Sequence, residues 1–438
     1  MPVKYFKLLE TLKKISSILL GIEMEDHMDL FKVVADFDPE LKEFLDKEIE
    51  RQKNTLSFIP DENSISPVCA SVQGSVWVSS SNSTALGRTD DLEKLVEKRL
   101  CEVFNAPCAS VRTVTIEAAS RIVFNALTER GDVVMSLDLR KKEHCNSEHL
   151  AFRFVNFGID NDTRELNLNE IEKKARECKP RLIVVSPINY SANIDYQRLA
   201  KIAKSVGAYL WCDISQSAGL IASGVFANPM PYADVVTFST HGSMQGPQSA
   251  VILCQNEIYG DIKRAETISG HTGLLSSELA GLAVRLTEMK SNEYKEYNKA
   301  VVGNSIALAD GLKAGGVKLV DKLHGSHLVM VDAQSCALSA RGIQELLSDA
   351  GIHVRITNVL TSDPKVKFDA VRFSTLPLTT RGITPEVLKD LGKEIATVLL
   401  KPEDDHVKAL KEKVLEVASK LKEVDPKFVQ PILHQLLD

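Results

Sequence analysis

An α/β fold with a mainly parallel sheet, followed by a smaller α+β domain, is predicted by three features of this 438-residue chain. Short continuous apolar runs alternate with stretches of helical spacing through the middle of the chain. After about residue 295, long helical stretches surround fewer strands. The chain is also long enough for two domains, or for one large domain with a satellite.

The first 25 residues set Lys4, Lys7, Lys13 and Lys14 against Leu8, Leu9, Leu12, Ile15 and Leu19, the spacing of a basic amphipathic helix. No small-residue cleavage site follows, so a docking or surface helix is expected rather than a secretory signal. Leu182 to Ser186 (LIVVS) is an apolar run of strand length. Tyr196 to Ser205 then places Leu199, Ile202 and Ala203 on one helical face. Tyr209 to Asp213, Val235 to Ser239 and Ala250 to Cys254 are the next strands. Runs apolar on both faces and separated by helices mark a parallel sheet covered on both sides. Ligands of such sheets bind at the carboxyl ends of the strands, where Asp213 and the loop 240–247 fall. Further on, helices are expected at Glu293 to Leu312, Arg341 to Asp349 and Pro385 to Leu400, and strands at Leu328 to Asp332 and Val371 to Ser374. Val407 to Lys422 is a last amphipathic helix, and Pro426 and Pro431 break up the tail. The expected division is an N-terminal helical extension (1–37), a large domain (38–295) whose first part is an arm, a small C-terminal domain (296–425) and a tail (426–438).

A net charge of −6 with 26% charged residues gives no electrostatic reason to expect nucleic acid. No apolar run approaches the roughly 20 residues of a membrane span. Eight scattered cysteines form no C-x-x-C pair, which argues against a zinc ribbon and for reduced thiols in a cytoplasmic protein. The run Arg140-Lys141-Lys142 reads as solvated surface rather than an anion site.

The stretch Val206 to Ala250, with its order of strand, D-I-S-Q, A-G-L, P-M-P, V-V-T-F-S-T-H and G-P, resembles the serine hydroxymethyltransferase family. Outlying segments strengthen the likeness: Phe58 to Pro67 (FIPDENSISP), Gln73-Gly74-Ser75, His327 to Asp332 (HLVMVD) and Val371 to Gly382 (VRFSTLPLTTRG). It covers roughly residues 38 to 420. The resemblance implies the aspartate-aminotransferase fold, pyridoxal-phosphate fold type I, with a seven-stranded sheet, and an obligate dimer.

The same comparison of motifs assigns the site residues. The family's Schiff-base lysine directly follows the histidine of T-T-H-K, and here Ser239-Thr240-His241 is followed by Gly242. Glycine forms no imine. The next lysine along the chain is Lys263. The phosphate-cradling S-G-S turn is Thr115-Ile116-Glu117, which brings a carboxylate toward a dianion at a cost on the order of a few kcal/mol. The partner-subunit loop Q-G-G-P keeps Gly273 but has Thr272 in place of its other glycine. Ser81, Ser83 and Ala85 replace the substrate-side tyrosines and the acid-base glutamate, Gln216 replaces a histidine, and Asp61 replaces the serine of S-E-N.

The residues that match are Asp213 for the pyridine nitrogen, His144 for ring stacking, His241 beside the lost lysine, Tyr190, and Arg372 for the substrate carboxylate. Each also has a structural reading: Asp213 as a turn cap; His144, His241 and Arg372 as hydrogen-bonded relics; Glu117 as an ordinary acid at a helix N-terminus. The expectation is an inactive paralogue with no catalytic residue and no cofactor, acting as a structural or regulatory homodimer or as partner of an active hydroxymethyltransferase. The alternative is an enzyme of glycine or serine one-carbon chemistry. It would hold pyridoxal or pyridoxamine phosphate without a covalent link, or a different small anion at Arg372. No metal site is expected.

Overall fold

The computed structural model describes residues 30–79, 89–137, 152–270, 273–320, 325–360 and 367–422. The expected N-terminal helix, His144 and the proline-broken tail lie outside them. The chain divides into two compact units, residues 52–424 and a second unit drawn from 1–51 and 425–438. The described part of the second unit holds the helix Leu30–Phe37 and most of Pro39–Asn54, with Leu41 and Phe44 exposed.

In the larger unit β1 (Leu56–Ser57) precedes a seven-stranded sheet. Its members are β2 (Cys108–Thr113), β3 (Val133–Leu137), β4 (Arg153–Phe157), β5 (Leu182–Val185), β6 (Tyr209–Asp213), β7 (Val235–Ser239) and β8 (Ala250–Cys254). The order across the sheet is β2-β8-β7-β6-β5-β3-β4. All neighbours from β7 to β4 run parallel, and β8 runs against both β7 and β2. This is the mainly parallel α/β sheet that the apolar runs predict.

The reason is visible in the alternation. Ile183, Val185, Leu210 and Cys212 enter one apolar core, while Leu182, Val184 and Trp211 enter another on the opposite face, against Ile122, Val123 and Phe124 of the helix Ile116–Leu127. A strand buried on both sides shows few polar positions, so it reads as a near-continuous apolar run. The helix Tyr196–Val206 returns the chain to β6 and ends on Gly207 at φ 72°. That is the left-handed conformation a helix stop takes at glycine.

A three-stranded antiparallel sheet follows, made of β9 (Leu328–Asp332), β11 (Arg355–Leu360) and β12 (Lys367–Ser374) in the order β11-β12-β9. The strand β10 (Ile352–His353) pairs in parallel with β1, so the chain entering the large sheet is tied to this smaller one. A separate core of Val329, Val331, Phe373, Leu391 and Ile395 holds the smaller sheet against the helices Asn292–Ala314 and Pro385–Leu400. Among the described residues no helix is long and apolar enough to cross a membrane.

Candidate active site

The carboxyl end of β6 places Asp213 almost out of solvent, 3% exposed. Its Oδ1 accepts the Ser215 N–H at 2.9 Å and its Oδ2 the Thr237 hydroxyl at 3.4 Å, while Trp211 Nε1 donates to that hydroxyl at 2.8 Å. Asp213 therefore caps the turn after β6 and also presents a fixed buried carboxyl group at the carboxyl end of that strand.

One strand over, β7 runs out into Thr240, His241 and Gly242. This loop is pinned from several elements. Asn63 Nδ2 donates to the Gly242 carbonyl at 3.0 Å, and the Tyr294 hydroxyl donates to that of Ser243 at 3.1 Å. Arg285 lies under the loop, with Nε donating to the Met244 carbonyl and Nη2 to Gln245 Oε1 at 2.8 Å. Its guanidinium stacks 4.5 Å from the centre of the Tyr294 ring. Asn63 is itself held by Tyr297 and Thr380. Gly242 sits at φ 62°, and a Cβ built on it would meet only the Pro60 carbonyl oxygen, at 3.5 Å. The position has room for a side chain, and the backbone there favours glycine. Asn63→Ala should strip the Gly242 carbonyl of its donor and lower stability by about 1–3 kcal/mol, read from the urea midpoint.

His241 is half-buried, and its Nδ1 has no hydrogen-bond partner among the described residues. Burial lowers its pKa, and the carboxylates of Asp61 and Glu117 oppose that shift in part. Glu117 lies in the first turn of the helix Ile116–Leu127, whose N-cap Thr115 accepts the Ala118 N–H. Asp61 Oδ1 accepts from Gln216 Nε2 at 3.1 Å. The Gln216 backbone carbonyl accepts from His327 Nε2 at 2.7 Å, which leaves His327 Nδ1 to accept from the Ser374 hydroxyl at 2.9 Å. His327 is 1% exposed, and burial, aided by the nearby Arg372 charge, pushes its pKa down to about 4. A neutral imidazole with one fixed tautomer results.

Arg372 on β12 is buried, and its Nη1 donates to the Ile188 carbonyl at 3.0 Å and to Asn189 Oδ1 at 3.3 Å. Tyr190 is buried beside a small cavity that it shares with Gln216 and His327. Gly273 takes φ 139°. The structure thus links Asp61, Gln216, His327 and Ser374 in one hydrogen-bonded chain, and sets His241 within reach of the Asp61 and Glu117 charges. Motif reading did not single out His327 or Tyr297 for the site. A histidine at the start of an apolar strand, and a tyrosine inside a long helix, look like ordinary core residues.

For pyridoxal phosphate the residues fit at one end and not at the other. Asp213 is the buried carboxylate that a protonated ring nitrogen requires. The covalent linkage has no amine at residue 242, and Lys263 is held at 3.3 Å from Glu97 and 3.5 Å from Glu266. The helix N-terminus that would receive the phosphate carries Glu117.

Residues 34–395 match the family described as serine hydroxymethyltransferase. A curated protein of that name from Ralstonia pickettii is 33% identical over 401 residues, covering 88% of this chain and 96% of the relative. Another from Cupriavidus necator is 32% identical over 387 residues, covering 85% and 93%. These matches correct the expectation that the chain takes no cofactor, because the matched family is pyridoxal-phosphate-dependent. The physical reason is that loss of the lysine removes one covalent bond. It leaves in place the buried Asp213 that would face the ring nitrogen.

Proposed function

Because the chain belongs to the serine hydroxymethyltransferase family, we propose that it is a member with a structural or regulatory role that does not itself transfer the hydroxymethyl group. One observation carries this reading: Gly242 follows His241 where the family's lysine follows its histidine, in a loop whose other anchors are all engaged. The replacements at Asp61, Glu117 and Gln216 support it. Bound pyridoxal phosphate supplies an electron sink. Asp213 would hold its ring nitrogen. His241, whose pKa burial lowers, sets in this loop an Nδ1 unpartnered among the described residues, but no amine beside it at 242 can exchange with a substrate amine. An enzyme that grips a small anion through Arg372 is a weaker reading, because Nη1 already bonds Ile188 and Asn189.

Members of the family are typically oligomeric. A homodimer, or a heteromer with an active hydroxymethyltransferase, is supported by the exposed apolar side chains Val68, Val76 and Val78 on the helix Pro67–Gln73 and the turn after it. Free thiols at the described cysteines suit a cytoplasmic setting.

The test is a gain of chemistry. Wild-type protein should give no cleavage of serine with tetrahydrofolate, and Gly242→Lys mixed with pyridoxal phosphate should give a pyridoxyl adduct on residue 242 after borohydride reduction. A lysine at φ 62° costs roughly 1 kcal/mol of backbone strain, too little to unfold the loop. Serine cleavage by wild-type protein overturns the proposal.

A further inference from the structure

Three cysteines meet at the end of the large sheet away from the candidate active site. Cys254 closes β8 and lies across from Val235, the first residue of β7, whereas the site follows the last residue, Ser239. Four residues of strand put roughly 13 Å between them. Cys108 opens β2 and is the direct cross-strand partner of Cys254 in the antiparallel register. Cys101 lies on the helix Thr89–Phe104 that leads into β2. All three are free thiols. Cys254 is 1% exposed, and Cys108 is partly exposed, with its Sγ donating to Asn256 Oδ1 at 3.2 Å.

We infer that Cys108 and Cys254 form a redox modification site, in which a hydroperoxide converts the two thiols into a disulfide that fastens the edge strand β2 to β8. Register supplies the geometry. Directly opposed residues of an antiparallel pair have Cα atoms about 4.5–5.5 Å apart, inside the roughly 4.4–6.8 Å range of disulfides, and both side chains leave the same face. The register therefore brings the two residues within the Cα separation that a disulfide spans.

Cys108, which solvent reaches, reacts through its thiolate, which attacks the peroxide oxygen; the O–O bond breaks, a sulfenic acid forms, and the departing hydroxide takes up the thiol proton and leaves as one water. The Cys254 sulfur then attacks that sulfenic sulfur, the S–O bond breaks and a second water leaves. In sum, two thiols and one hydrogen peroxide give one disulfide and two waters, with two electrons passing from sulfur to oxygen. Burial, together with Glu97 and Glu257, raises the Cys108 pKa, and burial pushes Cys254 to about 12. Both shifts disfavour the reactive thiolate, so the site answers sustained oxidant rather than a trace.

The test uses the full chain treated with graded hydrogen peroxide, alkylated and mapped without reduction by mass spectrometry. A dithiothreitol-reversible peptide joining Cys108 to Cys254 is expected. Cys254→Ala should abolish the joined peptide and leave a dimedone-trapped sulfenic acid on Cys108. Cys101→Ser, a change at a partly exposed helix position, should leave the joined peptide at wild-type yield. A Cys101–Cys108 bridge in wild-type protein, or Cys254 recovered alkylated at every peroxide dose, overturns the assignment.

Discussion

Replacing Gly219 by alanine should lower stability by at least about 3 kcal/mol, the upper range for forcing an extra carbon into a packed interior. Gly219 lies in the short helix Ala218–Ala222 after β6, directly above the loop that carries Gly242. A Cβ there would fall 2.1 Å from the Ser243 carbonyl oxygen and 2.6 Å from the Tyr294 hydroxyl. The first is backbone and cannot swing aside. The Gly219 N–H also donates to Ser243 Oγ at 3.2 Å, and Tyr294 donates to the Ser243 carbonyl, so a displaced loop loses both bonds. Gly260→Ala is the control. That glycine lies on the helix Asn256–Ile268 with nothing within 4 Å of a built Cβ, so the change should raise stability by roughly 0.5–1 kcal/mol. Urea midpoints at fixed slope measure both changes. Equal midpoints for the two variants would show that the close approach at Gly219 is not a constraint.

The second large effect is a loss of stability in acid. Buried His327 has a pKa near 4, against about 6.5 in an unfolded chain. Above pH 6.5 neither state is protonated there and nothing is lost. As pH falls from about 6.5 to about 4, the unfolded chain takes up a proton that the folded chain refuses, so folding weakens. At 1.36 kcal/mol per pKa unit the loss from this one residue reaches roughly 3 kcal/mol near pH 4. His241, also lowered by burial, acts in the same direction. Urea midpoints of wild-type protein and His327→Gln at pH 7, 5.5 and 4.5 separate the contribution. The variant starts lower and should lose less; parallel decline of the two would rule out His327 as the source.

The doubly covered strands β5 to β8 are legible in the sequence because burial on both faces leaves them mostly apolar, with few polar residues to blur them. The strands β4 and β11 are not. They open on Arg153 and Arg355, lie at sheet edges and have partly exposed positions, so their patterns match neither period. Asp213, His241 and Gly242 could be placed because strand order and a local motif carry them to one sheet edge. The chain from Asp61 through Gln216 to His327 could not. Its links join residues 155 and 111 positions apart, and no local spacing encodes such a meeting. The cofactor expectation failed for a related reason. A lost covalent bond is obvious in a motif, whereas membership of a pyridoxal-phosphate-dependent family rests on likeness along the whole chain.

The reversed direction of β8 has a consequence for how this family member can change. Because β7 and β8 are hydrogen-bonded neighbours paired from Ser239 against Ala250, residues 240–249 form a hairpin loop with both feet clamped. A one-residue insertion within β8 would swap the set Val251 and Leu253 with the set Ala250, Ile252 and Cys254, which enter cores on opposite faces. Segments that follow β5 and β6 cross over into helices and can lengthen without that penalty. New chemistry around residue 242 must therefore arise by exchange of side chains within a frame of constant length.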